Sequence, residues 1–249
     1  MAGHSKWANI QHRKGRQDKI RGKLFTRIGK ELTIAARDGG NPEFNPKLRM
    51  AIDKAKAANM SKDVLERAIK KGTGELEGVE YVEMTYEGYG PAGVAFVVEI
   101  VTDNKNRSAA SVRSNFARND GNLGADGAVS WMFHRKGIII VDKGDMDTDD
   151  FMLQALDAGA EDISEENGKF EVVTEFSEFM AVKGNLEGQG IVVESAEITM
   201  IPENNVEITD EEMAKKVMKL YEALEDNEDV QNIYANFEIS DELMEKIGE

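Results

Sequence analysis

The first 78 residues repeat apolar positions every three to four residues, which predicts amphipathic helices. Ile20, Leu24, Ile28 and Leu32 form an i+4 stripe, flanked by Phe25 and Ala35, along a helix from about Arg16 to Arg37 that ends at Gly39-Gly40. Asn45-Pro46 reads as an N-cap followed by a first-turn proline. It opens a second helix whose buried face is Leu48, Ala51, Ile52 and Ala55. Ser61 opens a third, with Val64, Leu65, Ala68 and Ile69 inside, which stops at Gly72. Gly72-Thr73-Gly74-Glu75 then reads as a linker about which the bundle is free to swing.

Beyond it the period shortens to two. Tyr81–Glu87 and Val94–Val101 are predicted strands joined by the loop Gly88–Gly93, followed by a helix from about Arg107 to Arg118 and a strand Ala128–Phe133. The next stretch alternates strand Ile138–Val141, helix Asp149–Ala158, a hairpin of Asp162–Ser164 and Phe170–Thr174 around Asn167-Gly168, helix Ser177–Leu186 and strand Ile191–Met200. That order is βαββαβ, the ferredoxin-like plait. A helix Glu211–Leu224 and strand Asn232–Phe237 are expected to return to the preceding domain. The predicted fold is therefore multidomain α+β. A basic three-helix bundle occupies 1–78, an α+β domain is formed by 79–134 plus 206–249, and a ferredoxin-like α+β domain is inserted at 135–205.

Charge separates along the same boundaries. The 249 residues carry a net charge of -16, yet residues 1–78 hold 18 Lys+Arg against 9 Asp+Glu, a net of +9. The remaining 171 residues hold 13 basic and 38 acidic side chains, a net of -25. A basic head on an acidic body attracts a polyanion at one end and repels it elsewhere. On a helical wheel Arg16, Lys19, Lys23, Arg27 and Lys30 fall on one side, and within the helix only Asp18 and Glu31 are available to pair with them. Clustered like charge costs helix stability, which a bound polyanion relieves. The arm Lys6-Trp7-Ala8-Asn9-Ile10-Gln11-His12-Arg13-Lys14 adds phosphate donors, amides and an indole that either stacks on a base or packs over the bundle. The candidate nucleic-acid-binding residues are thus Lys6, Trp7, His12, Arg13, Lys14, Arg16, Lys19, Lys23, Arg27 and Lys30. Lys47, Arg49, Lys54 and Lys56 read as solvated flanks of the second helix, and Arg21 falls on the apolar side of the wheel.

Other chemistries lack their residues. There is no cysteine, hence no disulfide, thiol nucleophile or Cys-based zinc site. Gly88–Gly93 precedes a strand and has no Lys-Ser/Thr, and Gly121–Gly127 opens no helix, so neither is a phosphate loop. Asp145–Asp150 imitates the start of a calcium loop, but Leu156 stands where glutamate is needed, and its acids suit a helix N-terminus. His4 and His12 have no third ligand in sight. Asn106-Arg107-Ser108 is a glycosylation sequon, without consequence in an unsecreted chain. No signal segment, membrane span, cofactor site or nucleophile–base pair is predicted. The expectation is a monomeric, non-enzymatic cytoplasmic protein.

Several longer motifs carry a resemblance. Gly3-His4-Ser5-Lys6-Trp7-Ala8-Asn9-Ile10, His12-Arg13-Lys14, Arg21-Gly22-Lys23-Leu24-Phe25-Thr26 and Ala55-Lys56-Ala57-Ala58-Asn59-Met60 resemble the YebC/PmpR family. So do Glu66–Gly74, Tyr86-Glu87-Gly88-Tyr89-Gly90-Pro91, Thr102–Arg107 and Trp131-Met132-Phe133, with Ala92-Gly93 standing where two glycines are expected. The resemblance implies three domains, one helical and two α+β, and a DNA-binding regulator of transcription. As the alternative it implies a ribosome-associated translation factor, activating translation or relieving stalling, that holds ribosomal RNA while the acidic domains meet basic proteins. The residues themselves lead to nucleic acid without choosing DNA or RNA, and to a basic protein partner for the acidic domains without naming one.

Overall fold

A computed structural model describes residues 17–248, with side chains from Gly22 onward. Among these, the chain divides into two compact units, residues 17–128 with 210–233, and residues 129–209 with 234–248.

The first unit opens with the predicted bundle. α1 spans Gln17–Ala35 and tightens into a 3-10 turn over Ala36–Asp38, where Gly39 at φ 131° ends it. α2 spans Pro46–Ala57 and α3 spans Lys62–Gly72. Ile28, Leu32, Ala35, Ala36, Leu48, Ala51, Ala55, Met60 and Ala68 form the bundle core, with Phe25, Ile52, Leu65 and Ile69 at its margin. Two predicted core positions are corrected, since Leu24 is 42% and Val64 46% exposed. At the start of the described part of α1, Phe25 rather than Leu24 packs against the core. Asn45 locks the α1–α2 turn, its Oδ1 accepting from Leu48 N while its Nδ2 donates to the carbonyls of Ala35 and Gly39. Ser61 holds the cap position of α3 without a side-chain cap bond.

The same unit contains a four-stranded sheet. β1 (Val82–Tyr89) pairs antiparallel with β2 (Ala95–Thr102), running from Val82 opposite Thr102 to Tyr89 opposite Ala95. β3 (Asn122–Leu123) and β9 (Val230–Ala235) flank them. α4 (Lys105–Arg118) and α7 (Glu211–Glu225) pack together, and Phe116 of α4 meets Phe96 of β2 edge-on at 6.0 Å. The helix and strand after residue 210 thus return to this sheet, as expected.

The second unit realises the plait. β4 (Phe133–Asp142), α5 (Thr148–Ala158), β5 (Asp162–Glu166), β6 (Lys169–Glu175), α6 (Phe179–Gly188) and β7 (Val193–Pro202) form an antiparallel sheet of order β5-β6-β4-β7. Phe151 of α5 stacks on Phe170 of β6 at 4.1 Å. Asn167 and Gly168, at φ 52° and 75°, make the predicted hairpin turn.

Three expectations are corrected. The strand predicted at Ala128–Phe133 is a 3-10 turn, Ser130–Met132, leading into β4, so the boundary drawn at 134/135 falls inside one strand. Of residues 206–249, expected with 79–134, only 210–233 belong to the first unit; β8 (Val206–Ile208) and β10 (Phe237–Ile239) form a parallel pair in the second. A short C-terminal helix, α8 (Asp241–Gly248), follows them. Among the described residues no helix is long and apolar enough to cross a membrane.

Candidate nucleic-acid interface

Of the candidate residues, Lys6, Trp7, His12, Arg13, Lys14 and Arg16 lie outside the described residues, and of Lys19 only the backbone, in α1, is described. The other three share one side of α1 and one destination. Lys23 Nζ lies 2.5 Å from Asp226 Oδ1, Arg27 donates to the Glu225 carbonyl at 2.6 Å, and Lys30 Nζ lies 3.2 Å from Asp229 Oδ1. Within the helix only Asp18 and Glu31 are available to the stripe, but these three residues find partners outside it, two carboxylates and a backbone carbonyl. Their partners lie about 200 positions downstream, where no helical wheel can place them.

That destination is the turn between α7 and β9. Glu225 is the last residue of α7 and Asp226 its C-cap, so Arg27 and Lys23 meet the negative end of a helix dipole as well as a carboxylate. Burial pulls the Arg27 guanidinium below its ordinary pKa, and the charges of Glu225, Tyr221 and Asp226 offset part of that. Exposure falls along the stripe. The Lys23 side chain is 32% exposed and its partner Asp226 76%, whereas the Lys30 and Asp229 side chains are each 9% exposed.

Lys30 is fully satisfied. Its ammonium donates to the Val101 carbonyl at 3.0 Å, the Glu228 carbonyl at 2.9 Å and Asp229 Oδ1, and stands 5.7 Å from the centre of the Tyr81 ring. Asp229 in turn accepts from Ser108 Oγ at 2.7 Å and from Arg107, which also holds Asp103. Burial pushes the Asp229 carboxyl up, but Ser108, Arg107 and Lys30 together outweigh it and hold its pKa below the ordinary carboxylate value. Asn104 caps α4 by accepting from Arg107 N, and the Thr102 hydroxyl lies 2.8 Å from Ser108 Oγ, which accepts from it because the single Ser108 proton goes to Asp229. Within the motif Thr102-Asp103-Asn104-Lys105-Asn106-Arg107, Arg107 thus holds in place the carboxylate that receives Lys30. Sequence reading missed Arg107 and Asp229, and the only local signal was the polar density of that motif.

The other bundle cations divide in two. Lys54 pairs with Glu31 at 2.9 Å, Arg37 donates to the Tyr81 carbonyl at 2.7 Å, and Arg49 holds the carbonyls of Pro42 and Glu43. Lys47, Lys56, Arg67, Lys70 and Lys71 are exposed along α2 and α3. The calcium-like acids serve a helix end, because Asp147 caps α5 by accepting from the N–H groups of Asp149 and Asp150. Among the described residues no cluster of three or more His, Cys, Asp or Glu is placed to hold a metal ion.

Comparison with known proteins follows this anatomy. The family model for the TACO1/YebC protein N-terminal domain matches residues 5–75, and that for the TACO1/YebC second and third domain matches residues 81–237. The chain is 66% identical over 248 residues to a "probable transcriptional regulatory protein" of Fusobacterium nucleatum, covering 99% of this chain and 100% of that one. It is 56% identical over 252 residues to a protein of the same description from Halothermothrix orenii, covering both chains fully. It is also similar to the crystal structure of a conserved hypothetical protein from Aquifex aeolicus. The TM-score is 0.84 at 48% identity, covering 95% of this chain and 98% of that one.

Proposed function

The chain belongs to the TACO1/YebC family, and from that premise we propose that it is a non-enzymatic, cytoplasmic, DNA-binding regulator of transcription that grips nucleic acid through its basic N-terminal helical domain. The observation that carries this reading is the charge segregation, +9 over residues 1–78 against -25 over the rest. The names of the relatives from Fusobacterium nucleatum and Halothermothrix orenii point the same way. In this reading Lys6, Arg13, Lys14, Arg16 and Lys19 neutralise phosphates, and Trp7 and His12 add stacking and hydrogen bonding. Lys23 and Arg27 contribute from the exposed end of the docked stripe, while Lys30 is committed to Asp229 and acts through the position it gives α1. The acidic remainder repels the polyanion from every other surface and recruits a basic protein partner. The chain acts as a monomer and needs no cofactor.

The same charge pattern favours one other reading, a translation factor that holds ribosomal RNA with the bundle and basic ribosomal proteins with the acidic domains. Parallel ultraviolet crosslinking of the cellular protein to DNA and RNA separates the two. Recovery chiefly with DNA supports the regulator, recovery chiefly with ribosomal RNA replaces it with the translation factor, and recovery with neither removes both.

A further inference from the structure

The residues that grip the turn after α7 do so in a graded way. At one end Lys30 and Asp229 are buried and surrounded by satisfied hydrogen bonds. At the other, Lys23 and Asp226 meet in a solvent-exposed pair, the kind that holds least and is screened most by salt. Arg27, half-buried between them, is held by the Glu225 backbone carbonyl. Lys23 and Arg27 are one helical turn apart, about 6 Å along the axis, and the turn offers them a carboxylate and the negative end of a helix. These are the features of a short polyanion.

We propose that Lys23 and Arg27 form a subsite for two backbone phosphates of a nucleic-acid strand, and that the acidic turn Glu225–Asp226 fills it when no nucleic acid is bound. A strand that enters displaces the turn from the Lys23 end, while Lys30 and Asp229 remain the fulcrum that keeps α1 on its seat. The resident turn then acts as a threshold. Ligands offering one or two charges do not displace it, and a continuous phosphate chain does, because it releases counterions as it binds. This inference rests on reading the bundle as a nucleic-acid-binding domain and adds the identity and resting occupant of one subsite.

The test uses the full chain and a labelled random-sequence DNA duplex, with affinity read by anisotropy at 0.1 M monovalent salt. Asp226→Asn frees Lys23 and is expected to raise affinity about five- to tenfold, the worth of one additional phosphate contact at that salt. Glu212→Gln makes the same charge change at the exposed opposite end of α7 and is expected to raise it less than twofold. Lys23→Gln combined with Asp226→Asn is expected to cancel the gain. Equal gains from Asp226→Asn and Glu212→Gln, no gain from Asp226→Asn, or a gain that survives Lys23→Gln overturns the subsite while wild-type binding leaves the bundle's role standing. Failure of the wild type and every variant to bind either duplex or single strand overturns both.

Discussion

The Lys30 ammonium and the Asp229 carboxylate, 199 positions apart in the chain, meet at 3.2 Å with both side chains 9% exposed. Removing two charges from water is costly, and such a pair persists only where the remaining donors and acceptors are satisfied. Here they are, by two backbone carbonyls on Lys30 and by Ser108 and Arg107 on Asp229. The pair ties α1 to the β2–α4 and α7–β9 segments within one compact unit. Gly72-Thr73-Gly74 is therefore not a swivel. Thr73 caps α3, and Leu76 N returns to the Lys70 carbonyl at 3.1 Å.

Asp229→Ala strands a buried lysine and is expected to cost about 3–5 kcal/mol. Lys30→Met leaves Asp229 with Ser108 and Arg107 and is expected to cost less, about 1–3 kcal/mol. Urea denaturation of the two variants checks the order. Equal or negligible losses would mean the pair does not fasten the bundle.

Glu171, on β6, stands in register between Ser164 on β5 and Ile140 on β4 and is buried. Burial, with Glu166 and Asp162 adding like charge, pushes its pKa from the ordinary 4.5 to about 7. Because the folded value lies above the unfolded one, the folded unit holds the proton more tightly. The stability this confers is present below about pH 4.5 and is lost as pH rises toward 7. Glu171→Gln should remove that slope and leave the plait more stable at pH 8 by on the order of 3 kcal/mol. Thermal melts of wild type and variant at pH 5 and pH 8 decide it, and parallel pH dependence in the two proteins would contradict the assignment.

Ala92 adopts φ 58°, ψ 14° in the turn between β1 and β2. A side chain in the left-handed region carries a steric cost that glycine lacks. Ala92→Gly is expected to stabilise the protein by about 0.5–1 kcal/mol, after the added freedom of the unfolded chain is counted. A loss of stability in a denaturant titration would show that the methyl group makes a contact worth more than the strain.

A Cβ built on Gly137 of β4 would lie 2.2 Å from Phe179 Cδ2 and 2.4 Å from Thr174 Oγ1. α6 can approach the sheet there only because residue 137 has no side chain. Gly137→Ala should lower stability by about 3 kcal/mol, read as a drop in the melting temperature of the second unit. Gly168→Ala, with open space around its Cβ, reports backbone strain alone and should cost less.

The helices of the bundle and the order of the plait were legible because their signals are local. Asn45-Pro46 marks a cap, Asn167-Gly168 a hairpin, and alternating runs mark strands. The short ladders β3, β8 and β10 were not, because two- or three-residue strands carry no period. The candidate site was legible only as charge. That Lys23, Arg27 and Lys30 share one side of α1 follows from helical spacing, but that residues 225–229 receive them depends on a return of the chain after the inserted plait. Ala92 shows the converse, a position where the missing glycine in the motif Gly88–Gly93 marked a real backbone constraint.

The most direct test of a nucleic-acid-binding head is the salt dependence of affinity for the full chain on duplex DNA. With about five phosphates engaged by the basic head, log K is predicted to fall against log salt with a slope of about -4 to -5. An affinity that does not change with salt, or a chain that binds no DNA at 50 mM salt, would contradict the account.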